Sequence, residues 1–183
     1  MQDSLLRQYM IETVGPIIDS IEGNLYVGRF DFSDCSAPIT IRNYIKMIIM
    51  NLISVHSELF LLNKSLIFVV FTYAIKEIYS KLLKIFSNVP QFCNNAAVQT
   101  YIDIFCLRET FKTYASDESK EIIQRIISLI PTTSFEQHKE LMTILISKFQ
   151  STMQPYIAVM QSVAPQSTIS VSFSDSPLKS QAK

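Results

Sequence analysis

The clearest pattern along the chain lies between residues 38 and 60, where apolar side chains recur at helical spacing. At about 100° per residue, one broad apolar face of this helix contains Ile41, Tyr44, Ile45, Ile48, Leu52, Val55 and Leu59. The opposite face is polar except for Met47, Met50 and Ile53. A helix that is apolar around more than half of its circumference needs cover on two sides, which predicts a position near the middle of a helical bundle.

The same periodicity predicts helices on both sides of this segment. They are expected at residues 4–14, 16–22, 65–87, 95–115, 116–130 and 133–163. The links between them are short, so successive helices are expected to pack as antiparallel neighbours. The pattern therefore indicates an all-α antiparallel bundle of about six helices.

Capping and breaking residues set the expected helix ends. Ser36 and Pro38 are expected at the start of the central helix, and Gly15-Pro16 is expected to break or kink the first one. Asn94 or Asn95 and Ser116 are expected caps. Residues 133–136, Thr-Ser-Phe-Glu, fit a capping box.

The loop at residues 23–36 carries an unusual number of aromatic side chains, among them Tyr26, Phe30 and Phe32. They either pack back onto the bundle, which is the favoured interpretation, or contact a partner. Met47, Met50 and Ile53 leave the same two alternatives open: cover from within the chain, which is favoured, or contact with another protein. These six residues are the candidate partner contacts.

Composition limits the range of functions. The chain has 183 residues, 48% of them hydrophobic, with three glycines, no tryptophan and a formal net charge of zero. That balance is unlike the basic surfaces of nucleic-acid-binding proteins. We expect one bundle domain over residues 1–163 and a disordered Ser-rich tail over 164–183, in which Ser176, followed by Pro177, is a candidate phosphorylation site.

Residues 42–88 carry six basic side chains against two acidic ones, Glu58 and Glu77. An ordinary solvated helix rim explains this excess, and attraction to anionic lipid or an acidic partner is the alternative. The longest apolar run, residues 66–75, is interrupted only by Thr72 and is too short to cross a bilayer.

No catalytic, metal-binding or cofactor-binding pattern stands out. His56 lies on the apolar face of the central helix, which is typical of a core histidine, and His138 is expected at the surface. Cys35, Cys93 and Cys106 are widely spaced without a CxxC motif, as in reduced cytosolic proteins. A non-catalytic scaffold is favoured, and an all-α enzyme or ligand-binding bundle with a site assembled from scattered residues is the alternative.

Several segments together resemble a known family. They are IRNYIKMIIMNLISVHSELF (41–60), PIIDSIE (16–22), YVGRFDF (26–32), NAAVQ (95–99), LRE (107–109) and KFQSTM (148–153). In order and spacing they are similar to the exocyst complex component 2 family, from about Leu5 to about Met160. Three positions depart from the family pattern: Gly15 replaces the usual Asp, Asn24 replaces a residue of a Pro-Gly turn, and Phe32 replaces Trp.

The resemblance implies a helical-rod subunit of a complex that tethers secretory vesicles to the plasma membrane. It implies other exocyst subunits as partners, no cofactor, and a cytoplasmic location at secretion sites. In this family the segment resembles the C-terminal region, and the Ral GTPase binds an upstream region. We therefore expect this chain alone not to bind a Ral GTPase.

Overall fold

The computed structural model describes residues 2–28 and 30–161. They form six α-helices: α1 (Gln2–Leu25), α2 (Asn43–Leu62), α3 (Ile67–Ser87), α4 (Asn94–Phe111), α5 (Asp117–Leu129) and α6 (Phe135–Gln161). Two single 3₁₀ turns, Lys64–Leu66 and Lys112–Tyr114, precede α3 and follow α4, and these residues contain no strand. The predicted all-α bundle is confirmed, whereas the expected tail and Ser176 lie outside the described residues.

The helices pack in an order that chain connectivity alone does not indicate. The most extensive contacts join α3 to α5, α4 to α6 and α1 to α3. Neighbours along the chain also pack, as α1 does with α2 and α2 with α3. The expectation that successive helices pair is therefore met only in part, because the closest pairs of helices skip one along the chain.

The inner face of α2 is confirmed, but its position in the bundle is not the predicted one. All seven residues assigned to the apolar face are buried. The outer face remains open, and α4 is instead the most enclosed helix, with twelve of its 18 residues buried. Small side chains such as Ala96 and Ala97 allow neighbouring helices to approach α4 closely, and hydrogen bonds satisfy buried polar groups such as Gln99.

The start of α2 differs from the prediction. Residues 38–42 are not helical, and the helix begins at Asn43 without a side-chain cap. The backbone N–H of Arg42 instead donates to Oδ1 of Asp103 on α4, at 3.1 Å. This long-range bond satisfies the N–H of Arg42, the residue just before the helix, and α2 begins five residues later than Pro38, where it was predicted to start.

The first helix is also longer than predicted, because α1 continues through Pro16 as one helix of 24 residues. Proline lacks an N–H, so it removes one backbone bond, but burial of Val14, Ile17, Ile21 and Leu25 holds both halves on the same core. The predicted break at Gly15-Pro16 is therefore wrong. The chain reverses after α1 through Gly28, whose φ of 79° favours glycine.

Of the other predicted caps, one is confirmed and two are not. Ser116 accepts the backbone N–H of Ser119 and caps α5 as expected. The cap of α4 is Cys93 rather than an asparagine, and α6 begins at Phe135, which rules out Thr133 as its cap. Ser134 directs its hydroxyl to the carbonyl of Asn94 across the bundle instead.

In the described residues, α2 is the one helix long and apolar enough to cross a membrane by length and composition. That test is also met by core helices of soluble proteins, and a single case is weak evidence. Here eight residues of α2 are buried against the other helices. We therefore interpret its apolar character as that of a packed core helix.

Candidate interaction surface

The outer face of α2 carries the three apolar residues that the sequence placed on an otherwise polar helix face. Met47 is 45% and Met50 48% exposed, whereas Ile53 is half-buried and packs against the core. The favoured expectation, that another part of the chain covers all three, is wrong for the two methionines. Ser54, Ser57 and Leu61 follow at a spacing of three to four residues and therefore lie on the same face, and Leu61 is 84% exposed.

The aromatic loop after α1 is mostly turned inward. Phe32 is buried and Phe30 half-buried, while Tyr26 remains exposed. Phe32 lies within edge-to-face distance of Phe30 and Phe92, at 5.0 and 5.3 Å between ring centroids. The favoured prediction that this loop packs on the bundle holds for Phe30 and Phe32, so Tyr26 is the loop candidate left at the surface.

A second apolar area, at the far end of α2, was not predicted. Leu61, Leu62 and Leu5 are all well exposed there, beside a cleft of about 520 Å³ between the start of α1 and the turn before α3. The cleft is lined by Leu5, Leu6, Tyr9, Leu59, Leu62, Asn63 and Leu66. The run Phe60-Leu61-Leu62 could have predicted this exposed area, because three consecutive apolar residues at a helix end cannot all face inward.

A buried polar cluster fixes the other end of α2. Asp103 on α4 is fully buried, and its Oδ1 accepts both the backbone N–H of Arg42 and the side-chain amide of Gln99, at 3.1 and 3.0 Å. Gln99 also donates to the carbonyl of Thr40. These bonds tie the extended segment before α2 to the middle of α4.

Arg42 joins this cluster to the aromatic loop. Its guanidinium donates to the carbonyl of Leu25 at the end of α1 and lies 3.6 Å above the ring of Phe30. It is also 5.0 Å from the ring of Tyr44. A single cation therefore holds α1, the loop and the start of α2 together through one hydrogen bond and several cation–π contacts.

Burial changes the ionisation of the groups in this cluster. It raises the pKa of Asp103 to about 7, although the N–H and the charge of Arg42 act in the opposite direction. Burial, followed by the charge of Asp103, raises the pKa of the Tyr44 hydroxyl. The carboxyl of Asp103 is thus held without a direct ion pair, and its proton is lost only near neutral pH.

This raised pKa predicts that the contribution of Asp103 to stability falls as pH rises. An unfolded aspartate titrates near about 3.9, so between that pH and about 7 the folded chain holds a proton that the unfolded chain has lost. The stabilisation is complete below about pH 4 and is lost as pH rises through about 7. We expect Asp103→Asn to match the native chain near pH 4 and to exceed its free energy of unfolding by about 1–2 kcal/mol near pH 8.

Urea unfolding of both chains at the two pH values tests this. The buried His56, whose pKa is lowered by burial, destabilises the fold at acid pH, but it does so equally in both chains. The difference between the chains therefore isolates Asp103. The same pH dependence in both would contradict the assignment.

The two histidines, the side chains most often used in catalysis and metal binding, lie in separate and different environments. His56 is 3% exposed and lies between the rings of Phe60 and Phe71, which confirms it as a core histidine. His138, expected at the surface, is half-buried with Nδ1 2.9 Å from the carbonyl of Ser134. No group of three or more His, Cys, Asp or Glu side chains suited to a metal ion occurs in residues 2–28 and 30–161.

Known proteins similar to this chain share one description. The family model "Exocyst complex component Sec5" matches residues 1–158. "Exocyst complex component 2" of Homo sapiens is 31% identical over 164 residues, which are 90% of this chain and 18% of that protein. The proteins of the same name from Mus musculus and Drosophila melanogaster are 29% and 27% identical, over 90% and 78% of this chain and 18% and 16% of theirs.

No solved structure matches the chain. The chain spans less than a fifth of the length of the three relatives.

Proposed function

Because this chain belongs to the Sec5 family of exocyst components, we propose that it is a non-catalytic scaffold region that acts through contacts with other exocyst subunits. In this role it contributes to tethering secretory vesicles at the cytoplasmic side of the plasma membrane. The polar cluster of Arg42, Gln99 and Asp103 supports this proposal. These residues bind one another and connect helices, and none of them lines either of the described clefts.

The outer face of α2 is the observation that carries the proposal. From Met47 to Leu61 it extends over 15 residues, which places its two ends about 21 Å apart along the helix. Methionines suit such a face because the thioether side chain adapts to a surface that docks after folding. The serines between them are small and allow a second helix to approach. The partner that fits is an amphipathic helix of another exocyst subunit.

Charge favours a protein partner over a lipid surface. Two of the six basic side chains in residues 42–88 are engaged within the bundle, Lys76 with Glu118 at 3.0 Å and Lys81 with Glu22 at 2.9 Å. Arg42 is held in the polar cluster. Less basic charge is therefore available to an anionic membrane than the sequence suggests.

We expect Met50→Asp to abolish association with other exocyst subunits while leaving the fold intact. Met50 is about half exposed, so an aspartate there remains hydrated in the isolated chain, and the melting temperature should change by no more than about 2 °C. In the complex the same charge would be buried without a partner, which is costly. Co-purification with separately expressed exocyst subunits measures the association.

Ile144→Asp is the matched control, since Ile144 is an apolar residue of similar exposure, 55%, on a different helix, α6. It should leave both the melting temperature and the association unchanged. Normal association of Met50→Asp would exclude the α2 face as the contact. A large fall in melting temperature would instead identify Met50 as a core residue.

A further inference from the structure

Two cysteines that are 58 residues apart in the sequence face each other in the structure. The Sγ atoms of Cys35, in the loop before α2, and Cys93, at the start of α4, are 3.6 Å apart. Both side chains are half-buried, so small molecules can reach them from the surface. The third cysteine, Cys106, is fully enclosed within α4 and provides an internal reference.

Backbone contacts on both sides hold this pair in register. The N–H of Cys93 donates to the carbonyl of Phe32 at 2.7 Å, and the side-chain amide of Asn95 donates to the carbonyl of Cys35 at 2.9 Å. The two segments are thus joined immediately next to each thiol. The sulfur atoms meet because the backbone places them there, rather than through a chance orientation of exposed side chains.

The two thiols have different environments. Cys93 caps α4, and its Sγ accepts the N–H of Ala96 at 3.4 Å. Burial raises the pKa of Cys93, but hydrogen bonds from Ala96 and Cys35 outweigh it, so the net shift is downward. Burial and the neighbouring Cys93 raise the pKa of Cys35 to about 12. Cys93 is therefore the more nucleophilic sulfur at neutral pH, and Cys35 holds its proton.

We propose that Cys35 and Cys93 form a redox modification site that closes to an intramolecular disulfide when a hydroperoxide oxidises it. The thiolate of Cys93 attacks the peroxide oxygen, the O–O bond breaks, and Cys93 becomes a sulfenic acid while the departing hydroxide takes up a proton. The sulfur of Cys35 then attacks Sγ of Cys93. The S–O bond breaks, and the leaving hydroxide combines with the Cys35 proton to form water.

The overall reaction converts two thiols and one hydrogen peroxide into one disulfide and two waters. The sulfur atoms must approach from 3.6 Å to about 2.05 Å, a movement of about 1.5 Å. The new bond would fix the loop that contains Phe32 and precedes Arg42 onto α4. Because it closes a long loop of the chain, it should raise the melting temperature, by about 5–15 °C.

The test treats the reduced 183-residue chain with hydrogen peroxide and maps its peptides without reduction. We expect one cross-linked pair of peptides, containing Cys35 and Cys93, with the loss of two hydrogens, in the native chain and in Cys106→Ser alike. The oxidised chain should melt at a higher temperature, and dithiothreitol should reverse the change. Intermolecular dimers, a bond to Cys106, or oxidation of Cys93 to a sulfinic acid without the cross-link would overturn the proposal.

Single variants separate the two steps. Cys93→Ser keeps a capping side chain at the start of α4, so the chain should fold, and peroxide should leave its Cys35 unmodified. Cys35→Ser should stop at the sulfenic acid of Cys93, which dimedone captures, whereas the native chain should give little adduct. Equal dimedone labelling of Cys93 in the native chain and in Cys35→Ser would show that Cys35 does not resolve the intermediate.

Discussion

Replacing Phe32 with alanine is expected to lower the free energy of unfolding by about 3–5 kcal/mol. Phe32 is 6% exposed and packs against the rings of Tyr26, Phe30, Phe86 and Phe92, at centroid distances between 5.0 and 6.2 Å. Removing it leaves a cavity where the loop meets α3 and the segment before α4. The surrounding rings are held by separate elements and can close that cavity only in part.

Urea unfolding of the isolated chain measures this effect. Tyr26→Ala is the matched control, because Tyr26 is an aromatic residue of the same loop but 44% exposed, and it should cost less than about 1 kcal/mol. Equal losses in the two variants would show that the loop is not packed as described. A loss below about 1 kcal/mol for Phe32→Ala would show that its pocket collapses freely.

Replacing Arg42 with alanine is expected to cost about 3 kcal/mol or more. The change removes the hydrogen bond to the carbonyl of Leu25 and the cation–π contacts with Phe30 and Tyr44. It also removes the positive charge nearest to the buried Asp103, which then lacks electrostatic compensation. The loss should therefore be larger near pH 8, where Asp103 is ionised, than near pH 5.

Two further variants separate these contributions. Arg42→Lys retains the charge but loses the planar donor group that reaches Leu25 and stacks on Phe30, so an intermediate loss is expected. Combining Arg42→Ala with Asp103→Asn should recover part of the stability, because no buried charge is left uncompensated. A loss for Arg42→Ala that is the same at both pH values would argue against coupling to Asp103.

These two residues bear on function through α2. Arg42 directly precedes α2, and its guanidinium lies 5.8 Å from the ring of Phe32, so both residues help to hold the start of the helix in place. A destabilised cluster would allow the helix to rotate or fray at Asn43, which would displace Met47 and Met50 one and two turns later. Variants of the cluster are therefore expected to weaken association through the position of α2, even though they lie in the interior.

The sequence by itself determined the all-α class, the inner face of α2 and the family. Apolar side chains at a spacing of three to four residues specify a helix and the angle of its buried face, because both depend only on local backbone geometry. Six inward residues of α2 and the core histidine His56 were accessible in this way, and the N-cap preference of serine identified the cap at Ser116. The family followed from colinear segments and is confirmed by the match over residues 1–158.

Only the tertiary structure decided what covers each face and which distant residues meet. Periodicity gives an angle around one helix but not the neighbour that lies there, so the open outer face of α2 and the enclosure of α4 were not predictable. Arg42 meets Asp103 across 61 residues, and Cys35 meets Cys93 across 58. Such pairs carry no local signal, because their proximity depends on how all six helices pack.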